Sequence, residues 1–317
     1  MKLQAIVATA VLVFASAASA QEPRLVVAPA HPQPGAIVRL TLTDAAPQDG
    51  KIATVKGSLA GEPLHFIAAS AGTWHAIGGV PVDAEGTLVA DAEITRASGN
   101  TDTVRVRFTL PKVPPPVAQP LGVDSSFTRP DPAVDARIAR ENERAREIGE
   151  RAHDSPPMWT APFIRPRTSI TTSPFGSGRL FNGQLTSRHL GVDFRGGVGE
   201  PIRAANRGVV ALVANFFLAG NVVYVDHGGG LVTAYFHMSK PLVSTGDTVS
   251  RGQVIGLIGA TGRVTGPHLH WAARYGTITV NPLDLLKIDA RAYGRGAARS
   301  RSTSKHQLRA SNHQHER

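Results

Sequence analysis

The chain has 317 residues, with 34 Lys and Arg against 24 Asp and Glu for a formal net charge of +10, and no cysteine. That length leaves room for two domains, and the missing cysteine excludes both a disulfide framework and a lipid attached through an N-terminal cysteine. The basic balance calls for an anionic partner.

Met1-Lys2 opens a short charged region, Ile6 to Phe14 is a run of small apolar residues, and Ala18-Ser19-Ala20 forms an A-x-A cleavage site. Residues 1–20 therefore read as a signal peptide, and the expected location is the periplasm or the cell exterior. The apolar run is shorter than the ~20 residues that span a bilayer, which disfavours a retained anchor.

Residues 21–112 read as a β-domain. Short runs such as Ala36 to Leu42 and Thr103 to Leu110 alternate with Pro, Gly and Asp turns at fairly regular intervals, the pattern of an immunoglobulin-like sandwich. Trp74 is the expected core aromatic. Residues 113–160 form a connector. Pro114-Pro115-Pro116 is stiff and extended, and Asp131 caps a helix with Pro132 at its first position that runs to about Arg151. The apolar stripe of this helix is thin and its Arg and Glu interleave, so a solvated, ion-paired spacer is expected rather than a partner-binding helix.

Residues 161–290 read as antiparallel β throughout, with Gly-punctuated strands such as Gly208 to Val213, Asn221 to Val225 and Gln253 to Ile258. Here the chain carries an H-x-x-x-D pair, His189 and Asp193, an H-x-H pair, His268 and His270, and His237 between them. Zinc takes imidazole nitrogen and carboxylate oxygen at about 2.0–2.2 Å, and a catalytic site keeps three protein ligands, so two histidines and one aspartate would suffice. If Pro267 to Ala273 is a strand, period-2 alternation sends His268 and His270 to one face and Leu269 into a core. Gly191 is expected to let the backbone turn so that His189 and Asp193 converge. His31, His65, His75 and His153 read as ordinary surface or hydrogen-bonded histidines, and His227, before Gly228-Gly229-Gly230, as a turn residue.

The segments Arg188 to Phe194, Gly229 to Ser239 and Gly259 to Trp271 resemble, in order, the motifs of the lysostaphin-type zinc metallopeptidases of bacterial cell-wall turnover. The resemblance covers roughly residues 161–288. It implies that His189, Asp193 and His270 bind zinc, that His237 and His268 act on the substrate, and that the active site lies in a narrow β-sheet groove. The H-E-x-x-H helix of other zinc proteases is absent, so His237 and His268 are the candidates for moving the proton and stabilising the oxyanion. Which does which stays open.

Residues 291–317 form a basic tail, expected to be disordered, where much of the excess charge sits. For an exported chain its partner would be anionic wall polymer or membrane surface, not nucleic acid. His306, His313 and His315 read as part of a solvated tail. The expectation is a mainly β, exported zinc endopeptidase acting on peptidoglycan cross-links, D-alanyl-diaminopimelate bonds first. A non-catalytic regulator of other wall hydrolases and an endopeptidase for glycine bridges or proteins are the alternatives.

Overall fold

The computed structural model of the chain describes residues 22–44, 51–129 and 131–290. Residues 1–20, expected to be a signal peptide, and the basic tail with its three histidines lie outside the described residues. The protein is mainly β, built from antiparallel sheets.

The N-terminal unit is two facing four-stranded sheets. One runs Arg24–Ala28, Ile37–Thr43, Thr73–Gly79, Ile67–Ser70, and the other Glu62–Pro63, Ile52–Leu59, Thr87–Arg96, Thr101–Thr109. Strict alternation sends Val38, Leu40 and Leu42 inward from the first sheet and Ala90, Ala92 and Ile94 from the second, all fully buried in one shared cluster. Trp74 does not fill this core. It is only partly buried at the margin of the cluster, because its strand directs Ala76 and Gly78 to the centre, where Leu64, Leu59 and Leu40 leave no room even for a Cβ on Gly78.

The C-terminal unit is a ten-stranded sheet. Its main path is Thr171–Ser173, Val192–Arg195, His268–Tyr275, Leu231–Pro241, Gly220–Gly228, Gly208–Phe216, Thr248–Val249. The central strands are buried on both faces and so read as continuous apolar runs: Val223, Val225 and Tyr235 join one cluster, Val222, Tyr224 and Ala234 the other.

The connector contradicts the spacer expectation. Its helix, Pro132–Arg151, starts where expected, with the Asp131 side chain accepting from Val134 N at 2.9 Å. It is docked, however: Ala145 and Ile148 are buried against Leu212, Tyr224 and Ala234 of the sheet. Gly149 lies so close that a Cβ there would come within 2.0 Å of the Gly276 carbonyl oxygen. A thin stripe of small residues suffices for docking when the facing backbone comes this near. Upstream of the helix, Ala118–Leu121 pairs in parallel with Gly178–Phe181, the first strand of a hairpin completed by Leu185–Arg188. It is the single parallel pairing among the described strands.

The two units meet through an apolar contact, where Ile37 and Ile77 of the sandwich join the core of the large sheet, and through a polar joint beside it. Glu62 accepts from Thr277 N at 2.8 Å and lies 2.9 Å from His153 Nε2, His65 stacks on His153 at 5.1 Å, and Tyr275 Oη donates to the Pro63 carbonyl at 2.6 Å.

Candidate metal centre

Strand register builds the site. Val192–Arg195 pairs antiparallel with His268–Tyr275 so that Asp193 faces His270 and Phe194 faces Leu269. Side chains at opposed positions share a face, so Asp193 and His270 rise together on one side while Phe194 and Leu269 enter the core beneath. His189 enters from the loop before the first of these strands. Its Nε2 lies 3.1 Å from Asp193 Oδ1 and 2.9 Å from His270 Nδ1, and His270 Nδ1 is 2.9 Å from Asp193 Oδ1.

This triangle fits a metal. Ligands at about 2.0–2.2 Å around a tetrahedral ion stand roughly 3.3–3.6 Å apart, only a little wider than the three edges here. Protonation agrees. His189 Nδ1 is 2.9 Å from the Pro174 carbonyl, which can only accept, so Nδ1 carries the proton and Nε2 turns its lone pair to the centre. Three acceptors buried against one another need a cation between them. The chemistry of the set, two imidazole nitrogens and one carboxylate oxygen, suits zinc.

The electrostatics point the same way. Burial opposes ionisation of Asp193, but the His189 and His270 rings beside Oδ1 outweigh it and hold its carboxyl far below the usual range. Burial pushes His270 down to about 4, leaving it neutral. Arg179 donates to the other carboxylate oxygen, Oδ2, so Asp193 offers only Oδ1 to the centre.

Gly191 is required, though not for a turn. It has no positive φ, and a Cβ there would lie 2.5 Å from His270 Cε1 and Nε2. Its missing side chain is the space His270 occupies.

His237 and His268 flank the trio. Their rings stand 4.9 Å apart, and His268 Nε2 is 3.6 Å from Asp193 Oδ1. Each Nδ1 lies 2.8 Å from a carbonyl oxygen, Thr261 for His237 and Gly266 for His268, so each Nδ1 carries a proton and donates it to the backbone, which fixes the ring. His237 is buried, and burial, then the rings of His270 and His268, push its pKa well down. Its backbone sits at φ +62 in a bulge: Asn221 pairs with Met238 and Val223 with Tyr235, so Phe236 and His237 together oppose Val222. A left-handed histidine costs ~1–2 kcal/mol, and the bulge re-aims its ring at the centre.

Two cavities adjoin the centre. One of about 260 Å³ is walled by His189, His237, His270 and, from the connector helix, Ile138 and Glu141. The other, about 320 Å³, is walled by His268, Asp193 and, from the connector strand, Gln119 and Leu121. Arg179 and Arg263 line both.

The profile of peptidase family M23 matches residues 187–282. These residues form a peptidase family M23 domain. The chain is 52% identical over 83 residues to the peptidoglycan DD-endopeptidase ShyA of Vibrio cholerae, a match over 26% of this chain and 19% of that protein. It is 40% identical over 115 residues to the DD-carboxypeptidase/endopeptidase Mpg of Neisseria meningitidis, over 36% of this chain and 26% of that protein. These matches thus span about a fifth to a quarter of the curated relatives. A crystal structure described as a peptidase M23 from Pseudomonas aeruginosa superposes with a TM-score of 0.61 at 27% identity, over 80% of this chain and 95% of that one. At 80%, that likeness reaches beyond the M23 domain into the N-terminal part.

The five sequence-predicted residues, His189, Asp193, His237, His268 and His270, all come together. His227 does not join them and is not a turn residue. It is fully buried in the strand Gly220–Gly228, held by the Arg207 carbonyl at 2.7 Å and Thr233 Oγ1 at 2.8 Å. Sequence reasoning missed Arg179, Arg263 and Glu141.

Proposed function

We propose that the chain is an exported zinc metalloendopeptidase that hydrolyses peptide cross-links of bacterial peptidoglycan, with the D-alanyl-diaminopimelate bond as its target. The observation that carries this is the convergence of two histidines, each held at Nδ1 by a backbone carbonyl, on a buried His-Asp-His triangle, inside an M23 domain similar to named peptidoglycan DD-endopeptidases.

His189 Nε2, Asp193 Oδ1 and His270 Nδ1 are the proposed zinc ligands. When bound, zinc supplies Lewis acidity toward a carbonyl and lowers the pKa of water. His237 and His268, each fixed at Nδ1 and left with Nε2 to act, divide the remaining work: one takes a proton from water and passes it to the leaving amine, the other donates to the oxyanion when protonated. The flanking cavities accommodate an extended peptide on both sides of the scissile bond.

Residues 1–20 are proposed to direct export to the periplasm or beyond, and the basic tail to hold the enzyme near anionic wall polymer or membrane. The N-terminal unit is proposed to be immunoglobulin-like on its strand order, which in letters reads A-B-E-D and C′-C-F-G. Digestion of purified sacculi and dimeric muropeptides, with fragments identified by mass spectrometry, tests the reading. Conversion of dimers to monomers without new glycan ends supports it; unchanged dimers beside rapid cutting of pentaglycine assigns glycine bridges instead. No cleavage of either by zinc-loaded protein leaves the non-catalytic regulator.

A further inference from the structure

Two arginines stand between the cavities beside the metal donors, and only one has an anion. Arg179 is consumed by Asp193 Oδ2, with Ser173 Oγ at 3.4 Å. Arg263 has neither an ion pair nor a side-chain hydrogen bond among the described residues. Its guanidinium lies over the Phe181 ring at 4.2 Å, and its backbone is fixed by donation from Arg263 N to the Leu218 carbonyl at 2.8 Å. The ring contact and the loop together fix the position of the guanidinium.

A half-buried cation beside a second cation, lining both cavities without an anion of its own, is costly unless something anionic completes it. Burial, then the charge of Arg179, already depress its pKa. A planar guanidinium takes a carboxylate in two parallel hydrogen bonds, and its apolar face is already occupied by Phe181.

We propose that Arg263 is a specificity-determining residue that binds the substrate carboxylate borne by the carbon attached to the scissile nitrogen. This rests on the endopeptidase reading and sharpens it. In a direct cross-link the leaving amine belongs to a diamino acid whose carboxylate sits on that carbon; in a glycine bridge the residue after the scissile bond carries its carbonyl in amide form and offers no anion. Arg263 therefore favours the direct cross-link, and amidation of that carboxylate weakens binding.

The test uses the zinc-loaded full chain and two non-cleavable probes, a diaminopimelate-containing tripeptide with the carboxylate free or as carboxamide, measured by calorimetry. The wild type is expected to bind the free acid about tenfold tighter or more, Arg263→Gln to lose that preference, and Arg263→Lys to keep part of it. On the cross-linked dimer, Arg263→Gln should raise KM about tenfold with kcat little changed, and circular dichroism should report an unaltered fold. Equal binding of both probes by the wild type, or a preference surviving in Arg263→Gln, overturns the proposal. If Arg263→Gln misfolds, Phe181→Leu, which removes the stack alone, should reduce the acid preference, and an unchanged preference there also overturns it. A preference that persists in a protein cleaving no cross-link removes the endopeptidase reading and leaves the carboxylate site standing.

Discussion

Removing any vertex of the His189, Asp193, His270 triangle should release the metal, since a three-ligand site cannot lose one donor and keep its affinity. His189→Ala and Asp193→Ala are expected to hold less than a tenth of the wild-type zinc by metal analysis. His237→Ala and His268→Ala should keep it and lose at least ~10²-fold in turnover. Full zinc in both ligand variants, or zinc stripped by His268→Ala, would reverse the assignments. Gly191→Ala should act like a ligand variant, because its methyl group would collide with the His270 ring and with the Trp271 carbonyl at 2.7 Å, neither of which can move without disturbing the register. His227 gives a pH prediction away from the metal. Its folded pKa of about 4 lies below the ordinary 6.5, so the ring is neutral when folded and the unfolded chain takes up the proton first. Stability is therefore complete above pH 6.5 and declines between 6.5 and 4, by about 3 kcal/mol from this group. Urea unfolding at pH 7.5 and 4.5 should show a smaller loss in His227→Gln than in the wild type; an equal loss would refute it. That the five residues would converge was legible because metal and proton chemistry admits few residue types and the spacing put two of them on one strand face. Arg179 and Arg263 were not, because an arginine's role depends on which anion the fold sets beside it.

For single elements, alternation showed most of the strands: Val38, Leu40 and Leu42 are buried as their period demands, and His268, Leu269 and His270 lie as the H-x-H spacing requires. The helix was legible in its cap and length but not in its docking. Its contact uses Ala145, Ile148, Gly149 and a glutamate, residues that a hydrophobic pattern underweights. Glu141 accepts from Phe217 N at 2.8 Å and from Arg137 Nε at 2.6 Å, anchoring the helix to the loop that follows Gly208–Phe216. Glu141→Ala leaves that amide without its acceptor and is expected to cost about 1–3 kcal/mol, read as a lower urea midpoint. Faster proteolysis within Pro132–Arg151 should accompany it. An unchanged midpoint and cleavage rate would show the helix to be merely adjacent.

At the scale of the molecule, the sequence suggested two units and a connector, and nothing in it indicated how they meet. The polar part of the joint centres on buried Glu62, which meets half-buried Thr277 and His153 at a surface assembled from distant segments. Glu62→Ala removes the acceptor of the Thr277 amide and the partner of His153, and should let the units melt separately, so that calorimetry resolves two transitions where the wild type shows one. A single transition in the variant would sink that expectation. The joint also imposes an order on folding. Glu62 and Thr277 are 215 positions apart and Pro63 and Tyr275 212 apart, whereas the whole core of the sandwich lies between Leu25 and Leu110. Contacts of such long range close late, after local ones have formed. During synthesis from the amino end the sandwich can close while His268–Tyr275, the strand that will receive it, is still unmade, so the seam between the units is the last part of the molecule to form.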